Sequence, residues 1–374
     1  MKKYLVALIA FVFAGTMWAG NRYTVLDPIT HGNLTVWPVV SSDVHDTSRF
    51  LTLDEGLRSG EVVVSEAGQI SPMIRRRGVP IPSPRGAEVN RLVLINNSKR
   101  PLLLLAGEIV TGGKQDRVVG ADRIVPPESD PVDLSVFCVE PGRWTGSSEN
   151  FGALSMQFAQ PSVRANAMAN KDQRLVWDSV NHANANMRAD VTASAAAVGG
   201  GVELAAPMPA TTSYAKMMQN DVVTKRVDEM AKPIQDSYSG MLAHLKEKNA
   251  VGVVVAVDGR IIWADLFASP TLLERYWPKL VRSYAAEAIT MRASSRGKVS
   301  NDDAQHFLDD LTGRREVVET EPGLFRHAEI TGKGYTVFEL TSLLPKTGFP
   351  VHIAKMGESN AYASSNPRPI SGIR

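Results

Sequence analysis

Residues 251–285 read VGVVVAVDGRIIWADLFASPTLLERYWPKLVRSYA, and their pattern decides the fold class. Residues 251–257 and 260–266 are rich in β-branched side chains and flank Asp258-Gly259. That dipeptide suits a two-residue hairpin turn, whose central positions take positive φ. Ser269-Pro270 then supplies an N-cap and a proline for the first helical turn. Leu273, Tyr276, Trp277, Leu280, Val281 and Tyr284 follow at helical spacing, which predicts a helix packing one face on the hairpin. Pro278 lies inside that pattern and is expected to kink or split the helix. Further strands are predicted at 325–330, 335–340 and 351–356, so residues 249–356 read as an α+β unit.

Upstream, residues 22–153 are strand and turn. Segments 34–40, 61–65, 91–95 and 101–110 are short, rich in β-formers, and separated by Gly, Pro and Asn. Asn96-Asn97-Ser98-Lys99 reads as a hairpin turn between the last two. Residues 132–140 alternate as a strand with one core face should. A short helix is predicted at 52–57, with Thr52 as N-cap and Glu55 closing a capping box. Between the two ends, residues 154–248 form a helical and flexible middle region. Helix is expected around Leu175 to Trp177 and over 214–248, broken or kinked at Pro233, with a loose Ala/Gly/Pro connection from Ala195 to Pro209. Residues 357–374 lack periodicity and are expected to be disordered.

The chemistry-bearing text is a charged block set in apolar strands. It comprises Gly107-Glu108, then Gly112-Gly113-Lys114-Gln115-Asp116-Arg117, and finally Cys138-Val139-Glu140-Pro141-Gly142-Arg143-Trp144. Glu108 is in register with Leu104, Ala106 and Val110, so it should face inward and needs a cation, for which Lys114, Arg117 and Arg143 are the candidates. Glu108, Lys114, Gln115, Arg117, Glu140, Arg143 and Trp144 form the candidate ligand-binding set. The cations would grip an anion and the indole would offer a stacking face. An internal ion-pair network is the competing explanation. Gly112-Gly113-Lys114 does not make a phosphate loop, because Glu108 stands where the first glycine belongs and Gln115 replaces the hydroxyl residue. Cys138, the single cysteine, sits among aliphatic neighbours and reads as core. Asp265, closing an apolar strand, is the one other acid placed to face a site. The seven histidines show no metal-ligand spacing, and no dinucleotide or nucleophile-elbow motif occurs, so neither metal nor cofactor is expected.

Charge and the N-terminus narrow the function classes. The chain has 41 Lys+Arg and 39 Asp+Glu, and its first twenty residues hold two lysines and no acid, leaving a neutral remainder. Neutrality argues against nucleic acid as a partner. Lys2-Lys3 followed by an apolar run to Ala19 reads as an export signal over residues 1–19, too short for a comfortable membrane span. A periplasmic or secreted location is therefore expected, with membrane attachment only if that segment stays uncleaved. Arg75-Arg76-Arg77, in a Pro/Gly-rich stretch, reads as a solvated surface turn.

Two blocks resemble a known family. Gly107-Glu108, Gly113 to Arg117 and Cys138 to Trp144 are similar to the first signature of the ARG and rhodanese-phosphatase-superfamily-associated protein family. Asp258-Gly259-Arg260, Asp265-Leu266-Phe267, Trp277 to Leu280 and Ser283-Tyr284-Ala285 resemble its second. The resemblance spans about residues 34–356. It implies association with ADP-ribosylglycohydrolase and rhodanese-like phosphatase proteins, and it brings no catalytic residues with it.

The expectation is an α+β protein: a strand-rich N-terminal half, a helical middle region, and a C-terminal hairpin, helix and strands, with the two signature blocks meeting. Functionally it reads as an exported, non-catalytic binding or interaction protein, whose partner is an anionic small molecule or a protein. The alternative is an enzyme acting on a phosphate-bearing or ADP-ribose-like ligand, with Glu108 or Glu140 as general base.

Overall fold

The computed structural model describes residues 22–66, 91–142, 148, 150–197, 211–245, 249–291, 297–344 and 348–357. The expected export signal, Arg75 to Arg77, the connection beyond Ala197 and the tail from residue 358 lie outside the described residues.

The N-terminal part holds β1 (Thr24–Val25), β2 (Ile29–His31), β3 (Leu34–Val40), β4 (Leu51–Thr52), α1 (Leu53–Ser59), β5 (Val62–Glu66), β6 (Arg91–Asn96), β7 (Leu102–Leu104), β8 (Glu108–Thr111), β9 (Arg117–Val119), β10 (Arg123–Val125), β11 (Val132–Cys138) and β12 (Gly152–Phe158). The middle holds α2 (Pro161–Ala165), a π-helical turn (Asn166–Asn170), α3 (Gln173–Ala197), α4 (Tyr214–Gln219) and α5 (Asp221–Leu245). The C-terminal part holds β13 (Ala250–Val257), β14 (Arg260–Phe267), α6 (Pro270–Thr290), α7 (Asn301–Asp309), β15 (Arg314–Glu321), β16 (Phe325–Gly332), β17 (Tyr335–Ser342) and β18 (Phe349–Gly357). The fold is α+β, as the sequence leads one to expect.

The C-terminal strands and the first three strands share one nine-stranded sheet, ordered β1-β3-β13-β14-β18-β17-β16-β15 with β2 also on β3. Its centre is the hairpin read from the sequence: Val257 pairs with Arg260, and Asp258 and Gly259 take φ of 52° and 67°. Val253, Val255 and Val257 join the core under α6, while Val254 and Ala256 join the core under α7. Burial on both faces explains why β13 is a continuous apolar run rather than an alternating one. The Ser269 hydroxyl accepts from the Leu272 N–H and starts α6, which continues through Pro278. The remaining strands form a six-stranded sheet, β12-β8-β9-β11-β6-β5, and a three-stranded one, β10-β7-β4, around their own apolar core.

The fold corrects several sequence expectations. Segment 101–110 is not one strand: it divides into β7 and β8, which belong to different sheets. Side chains replace the ladder at the break, where the Leu105 N–H donates to Glu108 Oε2 at 2.9 Å and the Ala106 N–H donates to Asp122 Oδ1 at 2.7 Å. Residues 96–99 do not make a hairpin, because β6 pairs with β5 and β11 while β7 pairs with β10 and β4. The Asn96 amide instead donates to the carbonyls of Arg100 and Pro126. Residues 152–158 form a strand where the sequence suggests the start of the helical region. Helix 214–245 breaks at Asn220, which has extended backbone, and not at Pro233, which lies within α5.

The predicted capping box at α1 is present. Thr52 Oγ1 accepts from the Glu55 N–H, and Glu55 Oε2 accepts from the Thr52 N–H at 3.2 Å. Glu55 also receives Arg275 from α6, tying α1 to that helix. Thr52→Ala is expected to lower stability by about 1 kcal/mol. A shifted denaturant midpoint with an unchanged slope would register it.

Candidate functional site

Glu108 begins β8, and its side chain is 2% exposed. Its cation comes from the second signature block: Lys279 Nζ of α6 lies 2.5 Å from Glu108 Oε1 and 2.8 Å from Asp54 Oδ2. Lys279 thus takes the place anticipated for Lys114 or Arg117, and Arg143 lies outside the described residues. Lys279 also stands over the rings of Tyr276 and Phe158, at 4.8 and 5.5 Å from their centroids. Burial works to lower the lysine's pKa, but Glu108 and Asp54 together carry it above its ordinary value. For Glu108, burial raises the carboxyl pKa against the pull of Lys279. A buried ammonium between two carboxylates stays charged, so this cluster is an ion-paired clamp between β8, α1 and α6.

The rest of the charged block gathers at another place. Glu140 Oε2 accepts from the Asp116 N–H at 3.2 Å, the Gln115 amide donates to the Glu140 carbonyl at 3.2 Å, and Lys216 Nζ stands 3.2 Å from Glu140 Oε1. Arg117, fully buried, donates to the Asp116 carbonyl. The glycine turn faces inward: Gly112 N–H donates to Asp116, Gly113 N–H to Ser148 and Lys114 N–H to Glu66. A phosphate loop needs such N–H groups pointing at the ligand, and these have internal acceptors. Cys138 is buried, and burial pushes its thiol pKa up, as expected of an inert core cysteine. Gln173 of α3 bonds both its N–H and its carbonyl, at 2.8 and 2.9 Å. Gln115, Arg117 and Glu140 thus come together with Lys114, while Glu108 belongs to a separate cluster. Arg143 and Trp144 lie outside the described residues.

A further buried network, which sequence reasoning touched only at Asp265, is built on two strands of the large sheet. Arg164 of α2 meets Asp265 of β14 in a bidentate pair at 2.9 and 3.0 Å. The Tyr284 hydroxyl of α6 donates to Asp265 Oδ2. His352 of β18 bridges Asp265 Oδ1 at 3.1 Å and Asp122 Oδ2 at 2.5 Å. Asp122 lies between β9 and β10 and also accepts the Ala106 N–H. The ionic side chains Arg164, Asp265, Asp122 and His352 are 0% exposed. Burial raises the Asp265 pKa, but the Arg164 guanidinium overcomes it and holds the carboxyl far below the usual carboxylate range. Burial likewise opposes the His352 cation, yet Asp122 and Asp265 bring its pKa up to about 9. Two cations therefore face two anions.

Arg164 is packed between the rings of Phe158 and Trp263, at 4.7 and 4.5 Å from their centroids. Gly107 makes room for it. Its φ is 100°, and a Cβ there would stand 2.7 Å from the Arg164 side chain and 2.4 Å from Phe158.

The two signature blocks therefore meet twice, through Glu108–Lys279 and through Gly107 beside the Arg164–Asp265 pair. A family model for the ARG and rhodanese-phosphatase-superfamily-associated protein domain matches residues 22–354. The chain belongs to that family. No curated protein and no solved structure matches it. The family match takes in all three parts of the fold, and the Arg164 network joins them: Asp122 from the N-terminal part, Arg164 from the middle, and Asp265, Tyr284 and His352 from the C-terminal part. The missed residues carried a readable sign. Arg164 between Val163 and Ala165, and His352 between Val351 and Ile353, are ionisable side chains inside apolar text, which burial permits only with partners.

Proposed function

We propose that this protein is an exported, non-catalytic binding or interaction protein in which most of the charged block is an internal frame. Contact with an anionic partner is made at the block's surface end. One observation carries the reading: the inward acids already have internal partners. A general acid or base must reach a substrate proton. Glu108 is held by Lys279 and the Leu105 N–H, Asp265 by Arg164, Tyr284 and His352, and all are buried. At the other end Lys216, 58% exposed, extends from Glu140, and the half-buried Lys114 stands on the adjoining turn. Cations at that end suit an anionic small molecule or an acidic protein surface. Export rests on Lys2, Lys3 and the apolar run that follows.

Thermal shift of the full chain against nucleotides, ADP-ribose, sugar phosphates and peptidoglycan fragments, with product analysis of each mixture, tests the reading. Anionic compounds are expected to stabilise the protein without being converted, and Lys114→Glu with Lys216→Glu should abolish that shift, measured from the lower unliganded melting temperature expected once Glu140 loses Lys216. Turnover that disappears in a folded Glu108→Gln variant would overturn the non-catalytic assignment. A panel without any anionic hit would overturn the assignment of the surface.

A further inference from the structure

We propose that β15 is a contact between two copies of this chain, paired antiparallel about a two-fold axis at Val317. The inference is independent of how the charged block is read. β15 closes one end of the nine-stranded sheet: β16 lies on one side, and among the described residues no strand pairs with the other. Of its eight residues only Glu319 is not exposed. Val317 and Val318, at 49% and 39%, are two of the four large hydrophobic residues exposed among the described residues. Between Val317 and Glu319 the register with β16 slips, leaving Val318 without an opposite residue there. A long edge strand with outward apolar side chains is a template for another strand, and charge, proline or a bulge restricts which strand it accepts.

The charges on this edge select an occupant. The strand reads Arg314-Arg315-Glu316-Val317-Val318-Glu319-Thr320-Glu321, with both cations and one acid at one end and the other two acids at the far end. Antiparallel pairing centred on Val317 sets Val317 against Val317, and it brings Arg315 of each copy, which in its own chain pairs with Glu339, near Glu319 of the other, offset where Val318 is the extra residue. Arg314 then falls opposite Thr320, one place from Glu321. A parallel arrangement would put arginine on arginine and glutamate on glutamate, which cross-strand pairs do not tolerate. The strand is therefore complementary to itself in the sense that a two-fold contact requires.

A ladder of one strand per copy is small beside the roughly 1,600 Å² of a standard interface. A groove of about 400 Å³ next to β15 supplies further surface, lined by Leu104, Val119, Leu134 and Val318 with Arg91 and Arg123 at its rim. Arg123 already reaches across to Glu319, at 3.3 Å, so the groove and the edge form one surface.

Light scattering and sedimentation of the full chain across the micromolar range test the proposal. The mass is expected to rise with concentration to twice that of the chain. Arg314→Glu with Arg315→Glu should give a monomer, as should Glu319→Arg with Glu321→Arg, and an equimolar mixture of these two variants should restore the dimer. Val317→Lys with Val318→Lys, which leaves every β15 charge in place, is a second disruption should either charge reversal fail to fold, and it too should be monomeric. A wild-type protein that stays monomeric overturns the proposal. So do folded variants that dimerise as the wild type does, or two folded reversals whose mixture stays monomeric.

Discussion

Arg164→Ala is expected to remove about 3–5 kcal/mol of folding stability, the range seen when one member of a buried ion pair is deleted. The guanidinium makes two hydrogen bonds to Asp265, at 2.9 and 3.0 Å, in surroundings without solvent. Alanine leaves that carboxylate with the Tyr284 hydroxyl and His352, and it empties the slot between Phe158 and Trp263. Both consequences act in the same direction, one electrostatic and one of packing. Arg164→Lys separates them. It keeps the charge but cannot form the bidentate pair or stack as a plane, so it should fall between wild type and alanine. Chemical unfolding at pH 7 reads all three. A loss below about 1 kcal/mol for alanine would place the pair among the weak, solvent-screened kind and would remove Arg164 as the tie between the three parts of the fold.

How much of this was legible depended on whether the cause was local. The β13–β14 hairpin and the start of α6 were readable because Asp258-Gly259 and Ser269-Pro270 act through their own backbone and near neighbours. The break between β7 and β8 was not. Residues 101–110 look like one strand, and the groups that interrupt it are the carboxylates of Glu108 and Asp122, the second of them distant in sequence from Ala106. β15 drew no assignment for the opposite reason: an edge solvated on both sides carries no apolar alternation to mark it as a strand. At the site, the inward direction of Glu108 could be inferred from its register, but its cation could not, because Lys279 is 171 residues away. Lys279 itself was hidden between Tyr276, Trp277, Leu280 and Val281, which are buried aromatic and aliphatic positions of the same helix. Asp265 was noticed as an acid ending an apolar strand. Its partners, on α2, α6 and β18, required the fold.

The same network should make stability depend on pH above neutrality, through His352. Burial by itself would lower the histidine's pKa, but Asp122 and Asp265, at 2.5 and 3.1 Å, bring it to about 9 from an ordinary 6.5. The folded protein thus keeps this proton up to about pH 9, whereas the unfolded chain releases it near 6.5. The stabilisation is complete below 6.5 and is lost as pH rises towards 9, by about 3 kcal/mol for that interval. Lys355 acts in the other direction at the alkaline end. Burial lowers its pKa from 10.5 to about 8, so above 8 the unfolded chain holds the extra proton and stability recovers as pH rises. His327, whose pKa burial lowers, instead removes stability when pH falls below 6.5. Both ring nitrogens of that buried residue lack a partner among the described residues. Asp122 and Asp265 have lowered pKa values and titrate on the acid side of this window. Stability should therefore peak near pH 6.5, fall from there to about 8, and flatten beyond it. Unfolding free energies measured at intervals from pH 6 to 9 give the curve. His352→Gln should be less stable at pH 6.5 and should lack the descending limb. A wild-type curve that is level from 6.5 to 8, or a glutamine variant that keeps the slope, would mean that His352 is neutral in the fold and that the pair of aspartates is balanced by Arg164 alone.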